Sequence, residues 1–269
     1  MERDGVPLPP GAADFVPAFP ATDGPARGAT SSAPVSTAPS APRGAAADHP
    51  APGAAQPLLV LDIGCGVGGF LTSLARFGRV TGLELDEPSI AFCREHGFPR
   101  TAVAASDHLP VPAGSQDLLC LWDVLEHTPD DRAVLAEMHR CLKPGGHLAI
   151  SVPAWQFLYA NNDRVAHHFR RYTRGELVRK LREAGLHVRK ATYVNCLLGL
   201  AIVPTVLVIK AREKLLRIPF GTRNNLDLPA PGPVNALFAA IFAGERHVLR
   251  HASSPFGHSL FVVARRPPA

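Results

Sequence analysis

The chain has five cysteines, Cys65, Cys93, Cys120, Cys141 and Cys196, and no two of them form a C-x-x-C pair. That absence speaks against a disulfide framework and against a zinc site, so no metal is expected and a reducing cytoplasm is the fitting compartment. Aromatic residues make up only 7% of the sequence, and no basic stripe interleaved with aromatics runs through it, which leaves nucleic acid out as a partner. No apolar run approaches the roughly 20 residues that span a bilayer. The first ten residues, Met1 to Pro10, offer neither a basic start nor a continuous apolar stretch, so no secretory signal is expected. Charge is also unremarkable in amount: the net +5 permits anionic partners, membrane surfaces included, without demanding them.

What is present is enough for one large domain and a tail. With 46% hydrophobic residues in 269, a sizeable core is available. The first 57 residues hold 12 of the 27 prolines, many alanines and almost no aliphatic periodicity. Residues 1–56 therefore read as a disordered Ala/Pro-rich tail ahead of a domain over 57–269.

The most informative stretch is Leu58-Leu-Val-Leu-Asp-Ile-Gly-Cys-Gly-Val-Gly-Gly-Phe70. An apolar strand ends in an acid and runs into a glycine-rich turn that opens a helix, a corner that lets backbone approach a nucleotide closely. About twenty residues on, Arg79-Val-Thr-Gly-Leu-Glu-Leu-Asp86 reads as a second strand carrying Glu84, placed to take a ribose diol. Gly64, Gly66 and Gly69 also satisfy G-x-G-x-x-G, so a nicotinamide-dependent reductase is formally open. Asp62, two residues before the first glycine, tips the choice, because a carboxylate there faces the amino group of an amino-acid ligand better than a pyrophosphate.

Beyond the corner, short β-rich runs alternate with amphipathic segments, as βαβ units require. Strands are expected near 58–63, 79–84, 101–105, 117–122, 147–152, 187–193 and 259–264. Thr128-Pro-Asp-Asp131 reads as an N-cap, a proline at the first helical position and an acid at the third, launching a helix that stops at Pro144-Gly-Gly146. Thr173-Arg-Gly-Glu176 is a second capping box, its helix closed by Gly185. Between the last two strands lies an insertion at about 196–255. Its apolar run, Leu197 to Ile209, is followed by Lys210, Arg212, Lys214 and Arg217. Those thirteen residues read either as a buried helix lidding a pocket, with a second helix at Val234 to Phe242 packed on it, or as a peripheral membrane contact through 197–217.

Taken with Ser106 to His127 and Leu142 to Pro153, the corner resembles the class I S-adenosylmethionine-dependent methyltransferases over roughly residues 55 to 265. The resemblance implies an α/β fold: a Rossmann-like, doubly wound, seven-stranded sheet, mainly parallel, with an antiparallel C-terminal strand. It implies S-adenosylmethionine as cofactor, with Asp62, Gly64, Cys65 and Gly66 at its methionine part, Glu84 and Leu85 at the ribose, and Asp107, His108 and Asp123 completing the contact. The acid common in that family four residues before Leu109-Pro110 is here Ala105, and Asp107 is read in its place. Segment 161–173 further resembles a bacterial subgroup carrying an Asp and then His-x-Arg-Arg-Tyr. Its Asp163, Arg170 and Arg171, together with Trp122, are expected at the acceptor, the arginines suiting an anionic group, while His168, His127 and Tyr172 are the catalytic candidates. The family's Asn/Asp-Pro-Pro-Tyr signature for base methylation is missing. The implied activity is methyl transfer to a small-molecule or lipid-linked acceptor, preferably at oxygen; the alternatives are the reductase and a non-catalytic S-adenosylmethionine-binding protein.

Overall fold

The computed structural model describes residues 56–216 and 232–268, so the expected tail lies outside the described residues except for Gln56. Seven strands form one sheet: β1 Leu58–Ile63, β2 Gly78–Glu84, β3 Thr101–Val103, β4 Gln116–Trp122, β5 Leu142–Pro153, β6 His187–Val194 and β7 Ser259–Arg265. Their order is β3-β2-β1-β4-β5-β7-β6, parallel throughout except that β7 runs antiparallel to both β5 and β6. The expected sheet is therefore present, with its reversed strand inserted second from the edge.

Alternation along each strand decides what the two faces bury. Leu61, Ile63, Leu119, Leu121, Leu148 and Ile150 point to one face, where they meet Val134, Leu135 and Met138 of α3 (Asp131–Cys141) and Leu177 and Leu181 of α5 (Arg174–Glu183). Val60, Cys120, Trp122, Ala149 and Phe261 point to the other and meet Leu74 of α1 (Leu71–Ala75). A strand buried on both faces needs apolar residues at nearly every position, which is why β1, apart from Asp62, and β4 from Leu118 on read as apolar runs. A short α2 (Glu87–Glu95) covers β2 and β3, and a five-residue α4 (Asn161–Val165) follows β5.

Two helix boundaries differ from expectation. α3 is capped by Asp130, whose Oδ1 accepts from the backbone N–H groups of Arg132 and Ala133 at 3.0 and 3.1 Å, and not by Thr128. The Thr128 hydroxyl donates instead to the Leu125 carbonyl at 2.8 Å, because a 3-10 turn over Leu125–His127 still occupies that part of the chain. The helix also ends at Cys141, and Pro144 to Gly146 belong to the start of β5, where the register with β4 shifts between Gln116 and Leu118. The second cap is as expected: Thr173 accepts from Glu176 N–H, and Gly185 turns the chain with φ +81°.

The insertion forms two helices, α6 (Cys196–Leu216) and α7 (Gly232–His251), both longer than their apolar cores. α6 continues through Pro204 and the basic residues after Ile209, since lysine and arginine are good helix formers. Glu245 of α7 accepts from the Cys196 N–H at 2.6 Å, joining the two helices at the α6 start. Leu197, Leu200, Leu207, Val208 and Leu215 remain exposed, so α6 is not the fully buried lid that one reading required. No described helix is long and apolar enough to cross a membrane.

Replacing Asp130 with alanine should lower unfolding stability by about 1 kcal/mol, read from urea melts, because two N–H groups at the α3 start lose their acceptor.

Candidate active site

Parallel strands present their carboxyl ends at one edge, and that edge gathers the polar residues of this chain. Asp62 is the penultimate residue of β1, Glu84 the last of β2, and Asp123 directly follows β4. The strand exits are conformationally marked: Asp123, Trp155 and Asn195, just beyond β4, β5 and β6, have φ of 51°, 66° and 60°. Non-glycine residues in that region store strain and gather at functional ends of a fold.

The glycine turn after β1 is built for close approach. Gly64 has φ +72°, and a Cβ there would stand 2.3 Å from Val124 Cγ2. Gly66 has φ +51° with no atom within 4 Å of where a Cβ would lie, so its outer side is open. The turn opens a helix as expected, but a short one: α1 begins only at Leu71 and has five residues. The Gly66 N–H instead donates to Glu84 Oε2 at 2.9 Å, while Glu84 Oε1 accepts from Leu85 and Asp86 N–H at 2.6 and 3.2 Å. Three backbone donors thus fix the Glu84 carboxylate at the edge of the turn. Cys65 is buried, and burial, with Asp62 nearby, pushes its thiol well above the usual range.

Asp62 is fully buried, and neither of its oxygens completes a hydrogen bond of ordinary geometry. Burial pushes its carboxyl up to about 7; the Trp122 indole opposes the rise and the Glu84 charge adds to it. Trp122 packs between Phe70 and Phe261, at centroid distances of 5.4 and 6.3 Å. The structure thus places Trp122 in the core, against the expectation of an acceptor wall, because it shares a sheet face with Cys120. Asp107 and His108 are exposed on the loop after β3 at the same edge.

The acceptor side is assembled from two distant segments. Asp123 is accessible, accepts from the Ser151 hydroxyl at 3.2 Å, and is followed by the turn carrying Glu126 and His127. The chain after β5 folds over it: Phe169 N–H donates to the Glu126 carbonyl at 2.8 Å, and the Tyr159 hydroxyl donates to the His168 carbonyl at 2.7 Å. This brings the rings of His127 and His168 edge to face, 4.5 Å between centroids. His168 Nδ1 lies 2.9 Å from Asp163 Oδ1, which also accepts from Arg171 Nε at 2.8 Å; Asp163 Oδ2 accepts from Ala160 N–H at 2.8 Å. Burial would raise the Asp163 carboxyl, but the His168 and Arg171 hydrogen bonds prevail and hold it at about 2. Burial does raise the Glu126 carboxyl well above its ordinary value, helped by Asp123, and it lowers the His127 imidazole, helped by His168.

Three expected site residues have internal partners instead. Tyr172 is fully buried and its hydroxyl contacts Asp131 Oδ2 at 2.9 Å and the Leu125 carbonyl at 3.3 Å; burial, with Asp131 beside it, pushes the phenol far up. Arg170 pairs with Asp131 at 3.0 Å and donates to the Pro129 carbonyl at 2.7 Å. Arg171 is occupied by Asp163 and the Ala154 carbonyl. The arginine pair therefore braces the loop rather than waiting for an anionic acceptor. Sequence reasoning did not single out Ser151, which the β4–β5 register sets opposite Trp122, or His258, whose imidazole burial and the Arg171 charge push down to about 4. Ser151 was discoverable from strand alternation; His258 carries no local signal.

Residues 61–150 match the methyltransferase domain family. The ubiquinone biosynthesis O-methyltransferase of Pseudomonas aeruginosa (strain UCBPP-PA14) is 32% identical over 153 residues, which cover 48% of this chain and 65% of that protein, just under two thirds. Among solved structures, an S-adenosylmethionine-dependent methyltransferase from Mesorhizobium loti superposes with a TM-score of 0.50 at 21% identity, over 78% of this chain and 92% of the other. The [4+2]-cyclase SpnF also superposes with a TM-score of 0.50 at 21% identity, over 80% of this chain and 77% of its own. Fold alone therefore does not fix the reaction.

Because the Asp62 carboxyl is raised by folding, the native state keeps a proton that the unfolded chain has released between pH 3.8 and about 7. Its contribution is favourable at low pH, is lost as pH rises through that window, and leaves an uncompensated buried charge above it. Asp62→Asn should accordingly raise stability at pH 8, by at most roughly 4 kcal/mol, and change it little at pH 4, as read from urea melts at the two pH values. The sheet order is thus that of the methyltransferase structures it superposes on, and within it residues 61–150 match the methyltransferase domain family.

Proposed function

We propose that this chain is an S-adenosylmethionine-dependent methyltransferase that moves a methyl group by in-line displacement to an oxygen of a small-molecule or lipid-linked acceptor. One observation carries the reading: the fully buried Asp62 carboxylate, with only the Trp122 indole beside it, lies at the end of β1 just before a glycine turn whose Gly66 is open on its outer side and donates to Glu84. A fully buried anion is tolerated where a cation completes it, and the ammonium of an amino-acid-bearing donor is such a cation. The donor supplies a methyl group already activated on a positively charged sulfur.

The remaining work falls to the protein's own groups. Gly64 and Gly66 admit the donor's backbone-like end, and Glu84, oriented by three N–H groups, keeps lone pairs for a ribose diol. Leu85, Asp107 and His108 lie exposed along the same edge, where the adenosine end extends, and Asp123 bounds the middle. Methyl transfer needs alignment and exclusion of water more than it needs acid–base strength. The loop over 154–172, pinned by Asp163, supplies the cover, and His127 and His168 are the groups that engage the acceptor. The O-methyltransferase relative favours oxygen as the receiving atom. The reductase alternative is disfavoured, since a buried carboxylate would oppose a pyrophosphate and α1 is too short to offer it a strong helix N-terminus.

The exposed apolar residues of α6, with Lys210 and Arg212 on the same helix, support a peripheral membrane contact and so the lipid-linked class of acceptor. Lys210 anchors that helix to the loop over the site by donating to the Phe157 and Tyr159 carbonyls at 2.7 and 2.8 Å.

Titration calorimetry should show S-adenosylhomocysteine binding once per chain and NADH giving no heat. Glu84→Ala should weaken that binding at least tenfold, about 1.4 kcal/mol; equal affinity in the variant, or no heat in the wild type, ends this reading. Co-sedimentation with vesicles rich in anionic lipid should retain the protein, and the pair Val208→Asp and Leu215→Asp should release it.

A further inference from the structure

We propose that Glu126, His127 and His168 hold one divalent transition-metal ion at the acceptor side of the cleft. One ligand atom from each of these three residues lies within 4.8 Å of the others. A four-coordinate ion with bonds of about 2.1 Å separates its ligands by roughly 3.4 Å, so closure asks for side-chain adjustments of about an ångström.

Glu126 supplies the independent observation. It is 0% exposed, and among the described residues neither of its oxygens has a hydrogen-bond partner. A carboxylate buried in that way is costly unless it is paired or coordinates a cation. The nearby guanidinium, that of Arg171, is already taken by Asp163, and the charges acting on Glu126 include the further carboxylates of Asp123 and Asp163. Three carboxylates against one arginine leave a negative corner that a divalent ion would balance.

His168 is prepared for coordination. Its Nδ1 is engaged by Asp163, which fixes the ring and leaves Nε2 as the ligand atom, the carboxylate–histidine arrangement that orients imidazoles at metal sites. His127 is exposed on the cleft side, so the ion has an entry path. Two imidazoles and one carboxylate suit zinc, manganese or iron rather than magnesium or calcium, whose shells are built from oxygen. Three protein ligands leave a coordination position for an oxygen of the acceptor. That link to the acceptor rests on the methyl-transfer reading; the ion site does not. The absence of a C-x-x-C pair had argued against any metal, but these ligands are 42 residues apart at the widest and meet only when the loop closes over the turn.

The test is calorimetric titration of the chelator-treated full chain with Zn2+ and, separately, Mg2+. One Zn2+ per chain is expected, with Mg2+ at least a hundredfold weaker. Glu126→Gln and His168→Ala should each weaken Zn2+ at least tenfold, and Asp163→Asn ten- to a hundredfold through loss of ring orientation. No Zn2+ binding, or stoichiometric binding unchanged in Glu126→Gln and His168→Ala, overturns the site. Should a variant fail to fold, the wild type loaded with Co2+ decides. Ligand-field bands without thiolate charge transfer support nitrogen and oxygen ligands, and a thiolate spectrum assigns the ion to cysteine and overturns the proposal. Zinc binding without S-adenosylhomocysteine binding would retain this site and remove the methyl-transfer reading, and the reverse result would remove the site alone.

Discussion

Two carboxylates, Asp62 and Glu126, are held inside the protein at one edge of the sheet without a hydrogen bond of ordinary geometry. Burying an uncompensated acid opposes folding, and the rest of the structure has to carry that cost. It does so with a core that occupies both faces of the sheet, so that β1 and β4, which lead to these acids, are anchored along most of their length by Leu61, Ile63, Leu119 and Leu121. The placement follows from strand geometry. Asp62 sits between Gly82 and Cys120 in the register, where neither neighbour offers a side-chain donor for a carboxylate.

The other charged residues of the site show how differently the same chemistry is used when partners are supplied. Asp163 accepts from His168, Arg171 and the Ala160 N–H, and Asp131 takes Arg170, Lys180 and the Tyr172 hydroxyl. Each of these carboxylates is pulled below its ordinary range. These are clamps, and they hold the chain between β5 and α5 over the strand ends. The acids of one cleft thus divide into those held by several partners and those buried with few. The arginines of the His-x-Arg-Arg-Tyr segment belong to the first class and the histidine faces both ways, pinned at Nδ1 with its other nitrogen unused by the clamp.

The helical insertion fits the same division. Glu245 of α7 holds the start of α6 through the Cys196 N–H and Lys210 ties α6 to the Phe157 and Tyr159 carbonyls, whereas Leu200, Val208 and Leu215 are exposed. A helix with apolar residues on all sides is expected inside a core or at a lipid surface. Here α7 adds Leu249 to the core on one face of the sheet, while α6 leaves much of its apolar surface exposed.

The sequence by itself determined the strands, their parallel sense, the glycine corner and the Asp62–Glu84 pair, because these depend on local periodicity and on backbone freedom at Gly64 and Gly66. It also marked 161–173 as polar and dense. Only the tertiary structure decided which residues in that segment are braces, since Arg170 and Tyr172 look as available in sequence as His168 does, and their partners Asp131, Pro129 and Leu125 lie some forty residues away. It likewise decided that Asp130 and not Thr128 caps α3, and that Trp122 is core. Hydrogen bonding and burial are properties of what folds against a residue, and a single chain read in order does not contain that information.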